Sequence, residues 1–147
     1  MAEFSLRPAN FEDFPAIKRL IHKVQINPTG LDWHRFVLAV DKSGRILGCG
    51  QLKPHGRGII ELASIATEPS ERKKGIARAV IEFLINQAPR PLYLTCLSSM
   101  GSFYEKWDFH PVNNDEMPTY FRRLVRLVNM MPDWGSSGDT LLVMKLM

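Results

Sequence analysis

The chain has 147 residues, 45% hydrophobic and 23% charged, with a formal net charge of +4 at pH 7. That length suits one domain, residues 1–147, with a real core, and the composition is typical of soluble globular proteins. No apolar run approaches membrane-spanning length, and repeats, low-complexity stretches and linkers are absent.

Glu3 to Arg7 alternates and predicts an edge-type first strand. A helix capped by Asn10 or Asp13 follows, with Phe14, Ile17, Leu20, Ile21 and Val24 at helical spacing. Asn27-Pro28-Thr29-Gly30 breaks it and leads to a strand at Phe36–Val40. Asp41-Lys42-Ser43-Gly44 makes a hairpin into Ile46–Leu52, and Lys53-Pro54-His55-Gly56 opens a second turn into a strand at 59–67. A helix from about Gly75 to Gln87 ends at Pro89-Arg90-Pro91. Leu92–Leu97 reads as a buried strand, Met100–Trp107 as a short helix, and Phe109–Val112 as a strand. Residues 114–132 form a Pro-initiated amphipathic helix with Tyr120, Phe121, Leu124, Val125, Leu127 and Val128 on its apolar side. A loop tip at 133–138 precedes a closing strand at 140–147. This order predicts an α/β sheet with helices on both faces.

Met1–Arg7 already reads as a strand, so a signal peptide is not expected, and the cytoplasm is the expected compartment. Cys49 and Cys96 lie in apolar strands and read as buried thiols. No Cys/His cluster has ligand spacing, so no metal is expected. The basic residues divide mainly into a loop at 72–78 and a set at Arg122, Arg123 and Arg126. Two pockets for small anions explain that division better than one nucleic-acid stripe.

Residues 65–78, Ile-Ala-Thr-Glu-Pro-Ser-Glu-Arg-Lys-Lys-Gly-Ile-Ala-Arg, carry the main chemical signal. A strand enters a polar loop, and a helix opens at Gly75-Ile76-Ala77. Small residues at 75 and 77 let backbone N–H groups approach a ligand. The helix N-terminus supplies unpaired donors and a positive dipole end, with Arg72, Lys73, Lys74 and Arg78 around it. This suits a pyrophosphate, and neither the P-loop nor the dinucleotide glycine spacing is present. The segment Thr67-x-Pro69-x-x-Arg72-x-x-Gly75-x-Ala77 resembles the R-x-x-G-x-G/A signature of the GNAT acyltransferases. Phe103-Tyr104-Glu105-Lys106-Trp107-Asp108-Phe109 resembles the family's Y-E-K-L-G-F segment.

The resemblance implies a mixed, mostly antiparallel central sheet splayed between the fourth and fifth strands, with acetyl-CoA as cosubstrate. By position, the main chains of Ile65, Ala66 and Thr67 would meet the pantetheine arm. Arg72, Lys73, Lys74, Gly75, Ile76, Ala77 and Arg78 would surround the pyrophosphate. Glu61 is implied as general base, commonly through water; the alternative is a solvent-facing glutamate or one paired with a basic neighbour. Tyr104 is implied to protonate the departing thiolate; the alternative is a packing role. Arg122 and Arg126, at i, i+4 on the late helix, could grip an acceptor carboxylate or form a solvated polar face. Trp33 and Trp134 are candidates for lining an acceptor pocket.

The sequence departs from the family pattern in three places. Lys73 stands where the family has glycine, which requires this position to keep a negative φ. Asp108 replaces the glycine ending the short helix and tolerates the left-handed region better than most residues. Leu97-Ser98-Ser99 replaces the asparagine that often follows the fifth strand. Leu94-Thr95 and Met117-Pro118 are similar to the branch that acetylates amino acids.

The implied function is N-acetyl transfer from acetyl-CoA to the amine of a small metabolite or amino acid, by direct attack in a ternary complex. No cysteine sits beside an obvious base to support an acyl-enzyme. The alternative is a CoA-binding regulatory module without turnover. The expected partner is a small-molecule amine, with neither nucleic acid nor membrane, and a homodimer is left open.

Overall fold

The computed structural model describes residues 3–131 and 138–147. The strands are β1 (Ser5–Pro8), β2 (Phe36–Val40), β3 (Ile46–Pro54), β4 (Ile60–Thr67), β5 (Leu92–Leu97), β6 (His110–Pro111) and β7 (Leu141–Leu146). The helices are α1 (Phe14–Lys23), α2 (Ile76–Gln87), α3 (Gly101–Glu105) and α4 (Thr119–Asn129). The strands hydrogen-bond in the order β1-β2-β3-β4-β5-β7-β6, giving a mixed, mostly antiparallel seven-stranded sheet. β1 is an edge strand, as its alternation predicts, and its last residue, Pro8, suits that place. The β4–β5 ladder has two parallel pairs, Ile60↔Leu92 and Glu61↔Tyr93, whereas β5–β7 has six. That short ladder is what a splay between the fourth and fifth strands predicts.

The chain clusters into two compact units, residues 1–53 with 62–88, and residues 54–61 with 89–147. In the first, α1 buries Ile17, Leu20 and Ile21 against Phe36, Leu38, Val40, Cys49 and Ala66. These helix residues share one face because they recur at helical spacing. The α1 entrance is fixed by Asp13, which accepts from the Asn10 N–H at 2.8 Å and takes both Arg7 terminal nitrogens at 2.8 and 3.0 Å. Helix α2 buries Ile76, Val80, Ile81, Leu84 and Ile85. It lies close to β3 because β3 carries glycine at positions 48 and 50. A Cβ on Gly48 would lie 2.6 Å from Ile76 Cγ2, and one on Gly50 would lie 2.6 Å from Ile65 Cδ1 and 2.7 Å from Val80 Cγ1.

In the second unit, Tyr93, Met117, Phe121 and Val143 form the core, with Ile59, Val112, Tyr120 and Val125 packed against it. Asp139 accepts from Ser98 Oγ, Ser99 N and Ser99 Oγ at 3.0–3.1 Å, which anchors the turn between β5 and α3.

The late helix departs from the sequence reading. Asn114–Glu116 is a separate 3-10 turn, and Pro118 has ψ 150°, so α4 starts only at Thr119. Proline restrains the residue before it from helical geometry, and this splits the segment at Met117-Pro118. Leu127, assigned to the apolar side, is 61% exposed. The predicted tip at 133–138 and Trp134 lie outside the described residues, apart from Gly138. Among the described residues no helix is long and apolar enough to cross a membrane.

Candidate active site

The basic loop belongs to the first unit. β4 ends at Thr67, Glu68 N–H donates to Leu47 O at 2.8 Å, and Pro69–Glu71 makes a 3-10 turn. Two left-handed residues then reverse the chain, Lys73 at φ 65° and Gly75 at φ 83°. Gly75 is the N-cap of α2, and its carbonyl accepts the first helical bond from Ala79 N–H at 3.1 Å. The N–H groups of Ile76, Ala77 and Arg78 therefore precede any intrahelical acceptor. Lys73 contradicts the requirement for a negative φ: the reversal needs a left-handed residue here, and no glycine supplies it.

The loop's carboxylates occupy part of its charge. Glu71 accepts from Lys74 at 3.2 Å and lies 3.7 Å from Arg45, and Glu68 pairs with Lys23. These cations lower the Glu71 carboxyl, the hydrogen bond from Lys74 most of all. Arg72, Lys73 and Arg78 are exposed and form no ion pair among the described residues.

Within β4, Ile65 and Thr67 are half-buried and Ala66 is buried. Ser64 has φ 60°, a left-handed residue in mid-strand, and such a residue locally breaks the regular ladder. It is held by Gln51 Nε2, which donates to Ser64 Oγ at 2.8 Å, and by Cys49 Sγ, which donates to Ser64 O at 3.5 Å. Lys53, on β3, is only 9% exposed, and its ammonium donates to Thr29 O at 3.1 Å with no carboxylate partner among the described residues. A buried cation without an anion is costly, and the Thr29 carbonyl offsets part of that cost. Sequence reasoning placed Lys53 in a turn.

The second unit holds Glu61. Its side chain and that of His55 are each 8% exposed, and Glu61 Oε1 lies 2.6 Å from His55 Nε2. Thr95 Oγ1 donates to the other carboxylate oxygen at 3.5 Å. Glu61 is therefore not solvent-facing, and its basic neighbour is a histidine. Tyr120 stacks on the imidazole at 3.7 Å between centroids, and Phe121 meets it edge-on at 5.7 Å. The Tyr120 phenol is raised by burial and then by the Glu61 charge. The signal for His55 was present in the hairpin. His55 N–H bonds Ile59 O at 2.9 Å, closing a tight turn, and a residue two beyond the opposed position is a diagonal neighbour.

Tyr104 sits on α3 among Phe103, Trp107 and Phe109. Burial and then Cys96 push its phenol up to about 12, so it keeps its proton at neutral pH and is a donor. Asp108 takes φ 69°, as expected of the residue ending this segment. Burial raises the Cys49 thiol to about 12 and the Cys96 thiol to about 11, leaving little thiolate for nucleophilic attack. Both are free, but Cys96 is half-buried rather than buried.

Arg122 and Arg126 are exposed on α4, lining a groove with Asn114, Thr119 and Asn129; Arg122 donates to Thr119 Oγ1 at 3.3 Å. Neither bonds Glu61 or His55. Trp33 packs on the first unit's core and stacks on His34 at 3.7 Å. Among the described residues no cluster of three or more His, Cys, Asp or Glu could hold a metal.

The acetyltransferase (GNAT) domain family matches residues 32–111. No curated protein matches the sequence. Among solved structures, N-acetylglutamate synthase from Neisseria gonorrhoeae, complexed with coenzyme A and N-acetyl-glutamate, is similar with TM-score 0.74 and 21% identity. The match covers 100% of this chain but 36% of the synthase, so the chain spans about a third of that protein's length. Rv2747 from Mycobacterium tuberculosis, in complex with CoA, matches with TM-score 0.70 and 20% identity over 97% of this chain and 99% of its own. A GNAT-family acetyltransferase from Staphylococcus aureus Mu50 matches with TM-score 0.69 and 16% identity, over 97% of each chain.

Proposed function

Because the chain belongs to the GNAT acetyltransferase family, we propose that it moves an acetyl group from acetyl-CoA to the amine of a small carboxylate-bearing metabolite, by direct attack in a ternary complex. The observation that carries this reading is the pairing of His55 with Glu61, which lies on the strand that runs into the Arg72–Arg78 loop. The diphosphate sits on the N–H groups opening α2, with Arg72, Lys73 and Arg78 as its uncommitted cations. Main-chain groups of Ile65 to Thr67 take the pantetheine arm, and one strand N–H there faces the thioester oxygen as negative charge develops.

The acceptor ammonium loses its proton to the Glu61–His55 pair. The nitrogen lone pair then attacks the carbonyl carbon, and the tetrahedral adduct collapses with cleavage of the C–S bond. Tyr104 gives its proton to the departing sulfur. The high thiol pKa values of Cys49 and Cys96 support direct transfer over an acyl-enzyme. Lys53 supports a carboxylate on the acceptor, and the Neisseria synthase, crystallised with N-acetyl-glutamate, supports the same class. Arg122 and Arg126 are a second place for such a carboxylate.

Calorimetry with acetyl-CoA, followed by thiol-release assays over amino acids and their decarboxylated amines, tests the reading. Acetyl-CoA is expected to bind, and at least one amino acid to release thiol faster than its decarboxylated counterpart. Absence of acetyl-CoA binding refutes the assignment. Binding with no amine-dependent release would instead favour a CoA-binding regulatory module.

A further inference from the structure

We infer that His55, rather than the carboxylate itself, receives the acceptor's proton, with Glu61 as the residue that positions and polarises it. The inference rests on the acetyltransferase reading and concerns the same site. An ionised carboxylate only accepts, so the 2.6 Å contact to Glu61 Oε1 places the ring hydrogen on Nε2. The lone pair of the neutral ring is then on Nδ1. Nδ1 has no hydrogen-bond partner among the described residues. The only buried side-chain polar atom left unpartnered among those residues is Gln51 Oε1. Nδ1 therefore reaches solvent, although the side chain as a whole is 8% exposed.

One nitrogen tied to a buried carboxylate and the other open is the arrangement in which an imidazole acts as a base and the carboxylate stabilises the cation formed. Stacking by Tyr120 and the edge contact from Phe121 fix the ring plane. The titratable groups against the ring are Glu61 from β4 and Tyr120 from α4; Thr95 from β5 and Phe121 are neutral.

The proton balance closes. An acceptor ammonium loses one proton to Nδ1, and the imidazolium passes it to water. The resulting amine lone pair forms the C–N bond. The N–H proton shed as the adduct becomes an amide replaces the one that Tyr104 gives to sulfur when the C–S bond breaks.

His55→Gln separates the roles, because the glutamine amide still donates to Glu61 but has no basic nitrogen. Measured with the amino acid that gives fastest thiol release, kcat in H55Q is expected to fall about 100-fold while acetyl-CoA affinity holds. The acidic limb of its kcat/KM profile should disappear. Glu61→Gln should keep that limb, because the imidazole still supplies the basic nitrogen. A wild-type profile in H55Q, or loss of the limb in E61Q alone, would overturn the inference and return the base role to Glu61. Imidazole 15N spectra of the unmutated protein give a readout that needs no acceptor. The Nε2–H form of neutral His55 is expected, and the Nδ1–H form would overturn the inference. Failure of acetyl-CoA to bind would sink the acetyltransferase reading while leaving the tautomer result standing.

Discussion

Gly50→Ala tests how tightly the first unit packs α2 against β3. The new methyl would stand 2.6 Å from Ile65 Cδ1, 2.7 Å from Val80 Cγ1 and 3.0 Å from Leu84 Cδ1, all well inside van der Waals contact. Val80 is fully buried and branched at Cβ, and Leu84 is 3% exposed, so neither can swing away. Overpacking of this kind costs about 1–3 kcal/mol, and alanine recovers roughly 0.5–1 kcal/mol of strand entropy relative to glycine. The net expectation is a loss of about 1–2 kcal/mol. Urea unfolding should show a lower midpoint at unchanged slope. Ile65→Val removes the nearest clashing atom, so the double variant should recover part of the loss, a coupling measurable by a mutant cycle. Stability in G50A equal to wild type, or no recovery in the pair, would refute the packing argument.

Three further outcomes follow from particular residues. Lys73→Gly relieves a left-handed non-glycine and should raise stability by about 1 kcal/mol in thermal or urea unfolding, despite the added freedom of the unfolded chain. The Arg7 guanidinium, chiefly through its hydrogen bond, holds the Asp13 carboxyl below its usual range. A depressed carboxyl contributes stability above its unfolded pKa, about 3.9, and loses it as pH falls through the folded value. Asp13→Asn should therefore cost about 0.5–1 kcal/mol at pH 7 and progressively less as pH falls below about 3.9, read from denaturation midpoints across pH. Tyr104→Phe should lower kcat at pH 7 without abolishing turnover. The deficit should shrink above about pH 8.5, where a thiolate needs no donor, because the phenol, at about 12, remains protonated throughout.

Regular periodicity and turn chemistry made most of the fold legible. The spacing of Ile17, Leu20 and Ile21 marked α1, and Asp41 to Gly44 marked the first hairpin. Gly75 announced the start of α2. Elements failed where two local rules competed. Apolar periodicity ran through Met117-Pro118, but the proline's effect on its predecessor won and split the helix. Lys73 was misjudged because the need for a left-handed residue comes from where the loop must deliver α2, and residue type does not record that. Glu61 was a candidate through the family resemblance and not through its local pattern. Its contact with His55 was not legible, because it is diagonal across a hairpin whose turn geometry had to be known first. Lys53 was hidden for a related reason: β3 runs two residues beyond the predicted end, which puts Lys53 in the strand.

The loop carboxylates set what sort of polyanion this protein tolerates. With Glu71 engaging Lys74 and Arg45, and Glu68 engaging Lys23, the mouth offers three uncommitted cations. A ligand with few phosphates then displaces few counterions, so log affinity for acetyl-CoA should fall with log salt at a slope of no more than about 3, where an extended nucleic-acid footprint of 6–10 contacts would give a far steeper line. A slope steeper than that would mean that the acidic partners let go on binding. On the proposed reading, built-in neutralisation of this kind fits the basic mouth to a ligand with few phosphates in spite of the chain's net charge of +4.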